Sequence, residues 1–485
     1  MHWILMVGYG AALFFICAFS IGQANLAIHY LRRRKATVPP PTPPEWPHVT
    51  VQLPVYNEQY VIGRLIDAVV AIDYPADRLE IQVLDDSTDE TVGIIAQKSA
   101  HYQAQGVDIR HVRRTKRSGY KAGALQYGLA QGKGEIMAIF DADFLPDKNF
   151  LKAVVPHFSD PSIGMVQTRW THINEGYNLL TRLQAFALNA HFTIDQSGRQ
   201  AAGSFINFNG TGGAWRKSCI EDAGGWHYDT LSEDLDLSYR AQLRGWRFHY
   251  LEADCSPAEL PVLMPAIKSQ QYRWNKGAAE TARKHLVQVL GSSLAPATKL
   301  RAAMHLLNSS VFVLLFIAAM ISVPLLSIKA SNPSLQLFFH LGSVFILGFL
   351  AIGMYYWVSS RALHPHHTFG YFIWRFPLFL ALSMGLSLHN SIAVVEGFLE
   401  IRTPFVRTPK FNITSANGSW RGKHYLEKKW SPIVLMEGLL ALYFGYGIYL
   451  GLRLADYGLM GFHLMLALGF GYVCIVSLKP LGHAD

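Results

Sequence analysis

The sequence predicts a mostly parallel α/β domain set between membrane-spanning helices, and three observations carry that prediction. Half of the 485 residues are hydrophobic and only 16% are charged, which exceeds what one soluble domain uses. The apolar residues are unevenly spread, with long runs near the two ends and a mixed composition between residues 49 and 258. Within that middle stretch, short apolar runs alternate with helical spacing, as a parallel sheet wound with helices requires.

The runs Trp3 to Ala27, Leu306 to Ile328, Leu335 to Val358, Ile433 to Leu452 and Leu459 to Leu478 each approach the ~20 residues a spanning helix needs. The first has no small-residue cleavage site and reads as an anchor. Arg32-Arg33-Arg34-Lys35 follows it, so the positive-inside rule places this end, and the middle domain, in the cytoplasm of a cell with the helices in its inner or plasma membrane. The net charge of +9 suits a border of anionic lipid. Basic and aromatic residues are not interleaved, which argues against nucleic acid as a partner. Cys17, Cys219, Cys255 and Cys474 are scattered without C-x-x-C spacing, which excludes a zinc ribbon and gives no reason to expect a disulfide framework.

The expected organisation is an N-terminal transmembrane helix (1–31), a basic and Pro-rich linker (32–48) and a cytoplasmic α/β domain (49–258). Interfacial amphipathic helices (259–300), two transmembrane helices (301–360), interfacial or re-entrant helices with a loop (361–430) and two further transmembrane helices (431–485) follow. The re-entrant assignment for 371–400 rests on Arg375, Pro377, His389, Asn390 and Glu396 interrupting an apolar stretch, since broken helices are tolerated where protein buries them.

Inside the α/β domain the strands stop at polar residues. Val49-Thr-Val-Gln-Leu53 runs into Tyr56-Asn-Glu58, Ile81-Gln-Val-Leu84 into Asp85-Asp86, and Ile136-Met-Ala-Ile-Phe140 into Asp141-Ala-Asp143. Parallel topology gathers carboxyl ends along one edge, where open α/β sheets bind ligands. Two acids at i and i+2 can share a hard cation, Mg²⁺ or Mn²⁺, whose other ligands would come from a diphosphate. For a D-x-D standing alone a turn capped by Asp is the better explanation, so the weight falls on its neighbours. No G-x-G-x-x-G or G-x-x-x-x-G-K-[ST] is present, which weakens dehydrogenase and P-loop readings. Farther on, Asn207-Phe-Asn-Gly-Thr-Gly-Gly213 allows close backbone approach by a ligand. Ser232 fits a helix N-cap before Glu233 and Asp234, acids that suit a helix dipole whatever their chemistry; beside a sugar-binding cleft one of them could alternatively act as a general base. The amphipathic segment Pro265 to Leu290 carries Gln270-Gln-Tyr-Arg-Trp274. His364, His366 and His367, split by Pro365 and without a nearby acid, read as a solvated turn.

This ordered set resembles the processive β-glycan synthases of glycosyltransferase family 2, which include the cellulose synthases. Asp85-Asp86, Asp141-Ala-Asp143, Ser232-Glu-Asp234 and Gln270-Gln-Tyr-Arg-Trp274 match that family's motifs in order. Closer wording is shared with the cellulose-synthase-like A mannan and glucomannan synthases, in Tyr56-Asn-Glu58, Val83 to Asp89, Gly119 to Leu125, Phe140 to Phe144 and Phe208 to Thr211. Phe405-Val-Arg-Thr-Pro-Lys410 is similar to the gating loop of cellulose synthase, with Arg407 as a departure.

The resemblance implies a glycosyltransferase A type domain that polymerises a β-linked glucan, mannan or glucomannan from UDP-glucose or GDP-mannose and secretes it across the bilayer. It implies donor contacts from Tyr56, Glu58, Asp85, Asp86, Lys121, Asp141, Gln270 and Arg273. Metal ligation would come from Asp141 and Asp143, catalysis from Asp234 with Glu233, and acceptor contacts from Trp274, Gly210 and Thr211. Tyr355, Tyr356, Trp357, Tyr443, Phe444, Tyr446 and Tyr449 would stack on sugars along a channel, or else form an interfacial belt. The competing readings are a lipid glycosyltransferase of the ceramide glucosyltransferase kind, which stops after one sugar, and a non-catalytic transporter, which would not need the paired acids.

Overall fold

A computed structural model describes residues 2–33, 43–332, 343–403, 406–414, 418–420 and 431–478. Seven strands form one sheet: β1 (Val49–Val55), β2 (Leu79–Asp85), β3 (Ile109–Arg113), β4 (Ile136–Ile139), β5 (Ile163–His172), β6 (Gly213–Arg216) and β7 (Arg247–Ala258). Their spatial order is β3-β2-β1-β4-β6-β5-β7. All neighbouring pairs are parallel except those that β6 makes with β4 and β5.

The central strands are apolar on both faces because helices cover both. Val49, Val51, Leu53 and Val55 pack with Ile62, Leu65, Ile66 and Ile95 on one side of the sheet. Met137, Ile139 and Trp215 pack with Leu125, Leu129 and Leu237 on the other. Where polar residues occur in β1 they are matched across the sheet: Thr50 donates to Glu80 (2.7 Å) and Gln52 to Gln82 (3.1 Å). A buried polar group left without such a partner would cost about 1–3 kcal/mol.

The register decides what meets at the edge. Val55 lies beside Asp85 in the parallel β1–β2 pair, and β4 leaves the sheet at Phe140 just before Asp141. Because β6 runs antiparallel, with Gly213 opposite Ile139, its entry turn at Gly210–Gly212 lies at that same edge. One reversed strand thus delivers the glycine turn to the acids.

Among the described residues, five helices can cross a membrane by length and composition, as expected of an integral membrane protein: His2–Arg32, Ser310–Ser331, Ile346–Leu363, Pro432–Arg453 and Met460–Leu478. The span expected over 335–358 is realised as a helix starting at Ile346, and residues 333–342 lie outside the described ones. Phe369–Gly385 and Ser387–Phe398 form the interrupted pair, bent by 51°, the geometry of either a broken span or a re-entrant loop. The aromatic residues proposed for a channel do not share one surface. Phe444 is in the bundle core, whereas Tyr446 and Tyr449 are exposed on its outside. The four cysteines are free thiols.

Candidate active site

The carboxyl edge of the sheet, the helix Glu233–Leu243 and the helix Met264–Gly291 border an open cleft. Tyr56, Glu58 and Asp86 line it from β1 and β2, and Asp141 and Asp143 from β4. Lys121, Gly210, Glu233 and Asp234 form the next wall, with Gln270, Arg273 and Trp274 on the long helix opposite.

Two expected residues are not brought to this cleft. Asp85 is the last residue of β2, and its side chain turns into the sheet, where His111 (2.8 Å) and the Ser87 amide (2.8 Å) hold it. Burial would raise its pKa, but these hydrogen bonds outweigh burial and hold it below the usual range. It anchors the strand end, and Asp86 alone of the pair faces the cleft. Thr211 is fully buried, and its hydroxyl accepts from the Asp141 amide at 2.9 Å, so it supports the acid instead of lining the cavity. Ser232 does stand at the N-cap, but its side chain makes no capping bond.

Charges across the cleft are paired. Lys121 Nζ sits 2.6 Å from Asp141 and 3.9 Å from Glu233, and donates to the Gly210 carbonyl at 2.9 Å. Burial works against its charge, yet Asp141 and Glu233 raise its pKa overall. From a segment 267 residues away in sequence, Lys410 Nζ reaches Asp143 at 2.5 Å. Beside it Arg407 pairs with Glu58 (3.0 Å) and Arg273 donates to Thr408 (2.7 Å). Burial pushes the Glu58 carboxyl up to about 8 despite Arg407.

Gly210 has φ of +80°, and a Cβ there would lie 3.2 Å from Asp234 Oδ2 and 3.3 Å from Lys121 Nζ. Glycine is therefore needed both for the turn and for the close approach. Burial, with the neighbouring Glu233 charge, raises the Asp234 carboxyl to about 7, the range a general base uses at neutral pH.

Asp141 and Asp143 each hold a protein ammonium, so the cleft already presents these oxygens to cations. Paired carboxylates at a strand end are hard ligands that fit a divalent ion. A second group, His227, Asp229 and Asp236, has ligand atoms within 4.8 Å of one another. There the ammonium of Lys284 lies 2.8 Å from both acids, so the cation position is filled by the chain itself.

Sequence reasoning missed Arg114 and Arg117. Arg114 is ion-paired with Asp86, and the Arg117 guanidinium stacks 3.3 Å from the centroid of the Tyr56 ring. The signal was the run Arg113-Arg-Thr-Lys-Arg117 after β3, a basic turn at the carboxyl edge.

Residues 47–277 match the family model Glycosyltransferase like family 2, and the mostly parallel sheet that carries the cleft is of the glycosyltransferase A type. Among curated proteins, the chain is 44% identical over 255 residues to Glucomannan 4-beta-mannosyltransferase 1 of Oryza sativa subsp. japonica, covering 50% of this chain and 48% of that one. It is 42% identical over 252 residues to Glucomannan 4-beta-mannosyltransferase 7 of Arabidopsis thaliana, covering 51% and 45%. The chain thus spans about half the length of the curated relatives it matches. Among solved structures, the mannosyltransferase PcManGT from Pyrobaculum calidifontis, in complex with GDP-Man and Mn²⁺, superposes with a TM-score of 0.52 at 22% identity. That match covers 74% of this chain and all of the other, and shows a shared fold.

Proposed function

We propose that the protein is a membrane-embedded inverting glycosyltransferase that extends a β-linked glycan from a nucleotide sugar. The observation that carries this reading is the gathering of Asp86, Asp141, Asp143, Asp234 and Arg273 in one cleft of a family 2 domain. GDP-mannose is the favoured donor, because the two curated relatives named above are mannosyltransferases. UDP-glucose is the competitor.

In this mechanism the nucleotide lies along the β1 and β2 ends, with Tyr56 and Asp86 nearest the base and ribose. Asp234 takes the proton from the acceptor hydroxyl as that oxygen bonds to the anomeric carbon. The bond from that carbon to the diphosphate oxygen breaks on the opposite face, so an α-linked donor yields a β-linked product. Arg273 stabilises the charge on the departing diphosphate, an electrostatic contribution that commonly dominates such reactions. Asp141 and Asp143 would hold Mg²⁺ or Mn²⁺, which when bound neutralises diphosphate charge. For that, Lys410 must leave Asp143. Trp274 stacks on the terminal acceptor sugar.

The basic cluster after the first helix supports a cytoplasmic cleft, with donor supplied from inside the cell and a product that leaves through the helices. The test is to supply purified full-length protein with radiolabelled GDP-mannose or UDP-glucose and to size the early product. The expected result is long polymer, digestible by a glycanase specific for β-linkages. A single short, lipid-extractable product would overturn polymerisation in favour of transfer to a lipid.

A further inference from the structure

A second pocket lies away from the cleft, at the seam between the α/β domain and the membrane helices. Glu175 and Asn189 line it from the domain, and Ser359, Ser360, Tyr371 and Arg375 from the helices Ile346–Leu363 and Phe369–Gly385. Packing fixes its level in the bilayer. Tyr355 and Val358, just before the two serines, pack on Leu26 and Ala27 of the first helix, whose last turn carries His29 and Arg32. Phe186 of the domain stacks on Tyr356 at 5.2 Å. The pocket thus stands at the basic end of the spanning helices, where the headgroups of one leaflet lie. Beside it Phe369, Ile373, Trp374 and Leu378 are exposed at helical spacing, an apolar stripe of the kind that rests among acyl chains.

Two opposite charges line this pocket without meeting. Among the described residues neither Glu175 nor Arg375 has an ion-pair partner, and the Arg375 guanidinium rests 3.9 Å from the centroid of the Tyr371 ring. The side chains of Ser359, Ser360 and Asn189 likewise have no hydrogen-bond partner among the described residues. None of these polar atoms is sealed from solvent, so all of them remain open to a ligand. His364 and His367, expected in a solvated turn, instead border the pocket half-buried. Burial, with the His364 and Arg375 charges, holds the His367 imidazole below its ordinary range. That ring is neutral at pH 7, and Arg375 is the permanent cation of the pocket.

A cation and an anion held apart in one pocket suit a ligand that carries both charges. A guanidinium and two hydroxyls are donors that phosphate oxygens accept from. A carboxylate and an amide oxygen accept from an ammonium, which has N–H groups to donate. At headgroup level, the component that joins a phosphate to a primary ammonium by a short linker is a zwitterionic phospholipid. We infer that the pocket binds the headgroup of a phosphatidylethanolamine, its phosphate on Arg375 and the serine hydroxyls and its ammonium on Glu175. Held there, the lipid ties the α/β domain to the helices Ile346–Leu363 and Phe369–Gly385. The inference rests on the membrane assignment and is independent of the glycosyltransferase reading.

The experiment offers the full-length protein in detergent equal amounts of phosphatidylethanolamine, phosphatidylcholine and phosphatidylglycerol, and counts bound lipid by native mass spectrometry. Wild type should retain the ethanolamine lipid roughly tenfold more than the other two, because choline has no N–H to donate and the glycerol headgroup has no cation. Arg375→Gln should lower that retention roughly tenfold, as the loss of a charge-assisted phosphate contact does. Glu175→Gln should bring the ethanolamine and choline lipids to within about twofold of each other. If Arg375→Gln does not fold, the wild-type preference and Glu175→Gln decide the matter. Equal retention of the three lipids by wild type overturns the site, and so does an ethanolamine preference that Glu175→Gln leaves unchanged. Glycerophosphoethanolamine, the same headgroup without acyl chains, should compete only at roughly a hundredfold higher concentration or more. Competition at equal concentration would assign the pocket to a soluble phosphate compound and overturn the lipid.

Discussion

Two acids on one helix, Asp234 and Asp236, face different worlds. Asp234 opens onto the cleft, where burial and the Glu233 charge raise its pKa to about 7. Asp236 faces away and is fully buried against the long helix. There His285 (2.7 Å), Lys284 (2.8 Å) and Arg240 (2.8 Å) surround it, and His227 lies 3.8 Å off. Burial alone would raise its pKa, but these partners outweigh burial and hold it far below the carboxylate range. The comparison teaches that identity and spacing do not assign a role. A cleft acid is poised to accept a proton, while its neighbour is locked as a permanent anion that clamps the two helices bearing the site.

The clamp has a second point. The Glu280 carboxylate accepts from the Leu231 amide at 2.7 Å, and Gly277 lets the long helix approach so closely that an added Cβ would lie 2.7 Å from the Ser232 backbone nitrogen. Asp234 is thereby fixed relative to Arg273 and Trp274, which the same long helix carries.

The largest expected effect separates the two acids by stability. Asp236→Asn strands cationic partners in a buried site and should destabilise the protein by about 3–5 kcal/mol. Thermal unfolding in detergent checks this, and an unchanged melting temperature would break the comparison. Next, Asp143→Asn should lose at least roughly a hundredfold in turnover with the fold intact, as other lost electrostatic groups do. Turnover that survives either this substitution or chelation of divalent ions would remove the metal assignment. Gly277→Ala should shift the start of the Glu233–Leu243 helix and lower kcat about ten- to a hundredfold, because small misplacements of a reacting group are costly. Donor affinity should hold, and a loss confined to donor KM would contradict the clamp.

The smallest effects are in pH. Turnover should climb with pH and level off near the Asp234 value of about 7, because the base must be ionised. Its folded pKa is raised, so the folded state binds the extra proton, and Asp234's contribution to stability falls as pH rises through that window. Asp236 has the opposite sign, since its folded pKa is depressed. Its contribution is present above the ordinary carboxylate range and is lost as pH falls below it. Rate profiles over about pH 5 to 9 measure the first, and unfolding profiles extended down to about pH 2 measure the second.

Much of this arrangement was legible because strand ends announce themselves. Val49 to Leu53 and Ile136 to Phe140 are apolar runs closed by polar residues, and parallel topology brings such ends together. The distinction between Asp85 and Asp86 was less visible. Adjacent residues of a strand face opposite sides, so only one could reach the cleft, but the sequence did not say which side was the cleft. Lys410 on Asp143 was illegible for another reason: it is a contact between segments 267 residues apart, and no local pattern encodes it. The partnering of Asp236 by His285 and Lys284 is of the same kind, 49 and 48 residues along the chain.

The most direct test of the account takes Asp234→Asn through two measurements on the same preparation, nucleotide-sugar affinity by calorimetry and turnover by nucleotide release. Donor affinity should stay within about twofold of wild type and turnover should fall roughly a hundredfold or more, since the proposed base touches the acceptor alone. A donor affinity that falls as far as the turnover would contradict it, and would move Asp234 from acceptor activation into the donor site.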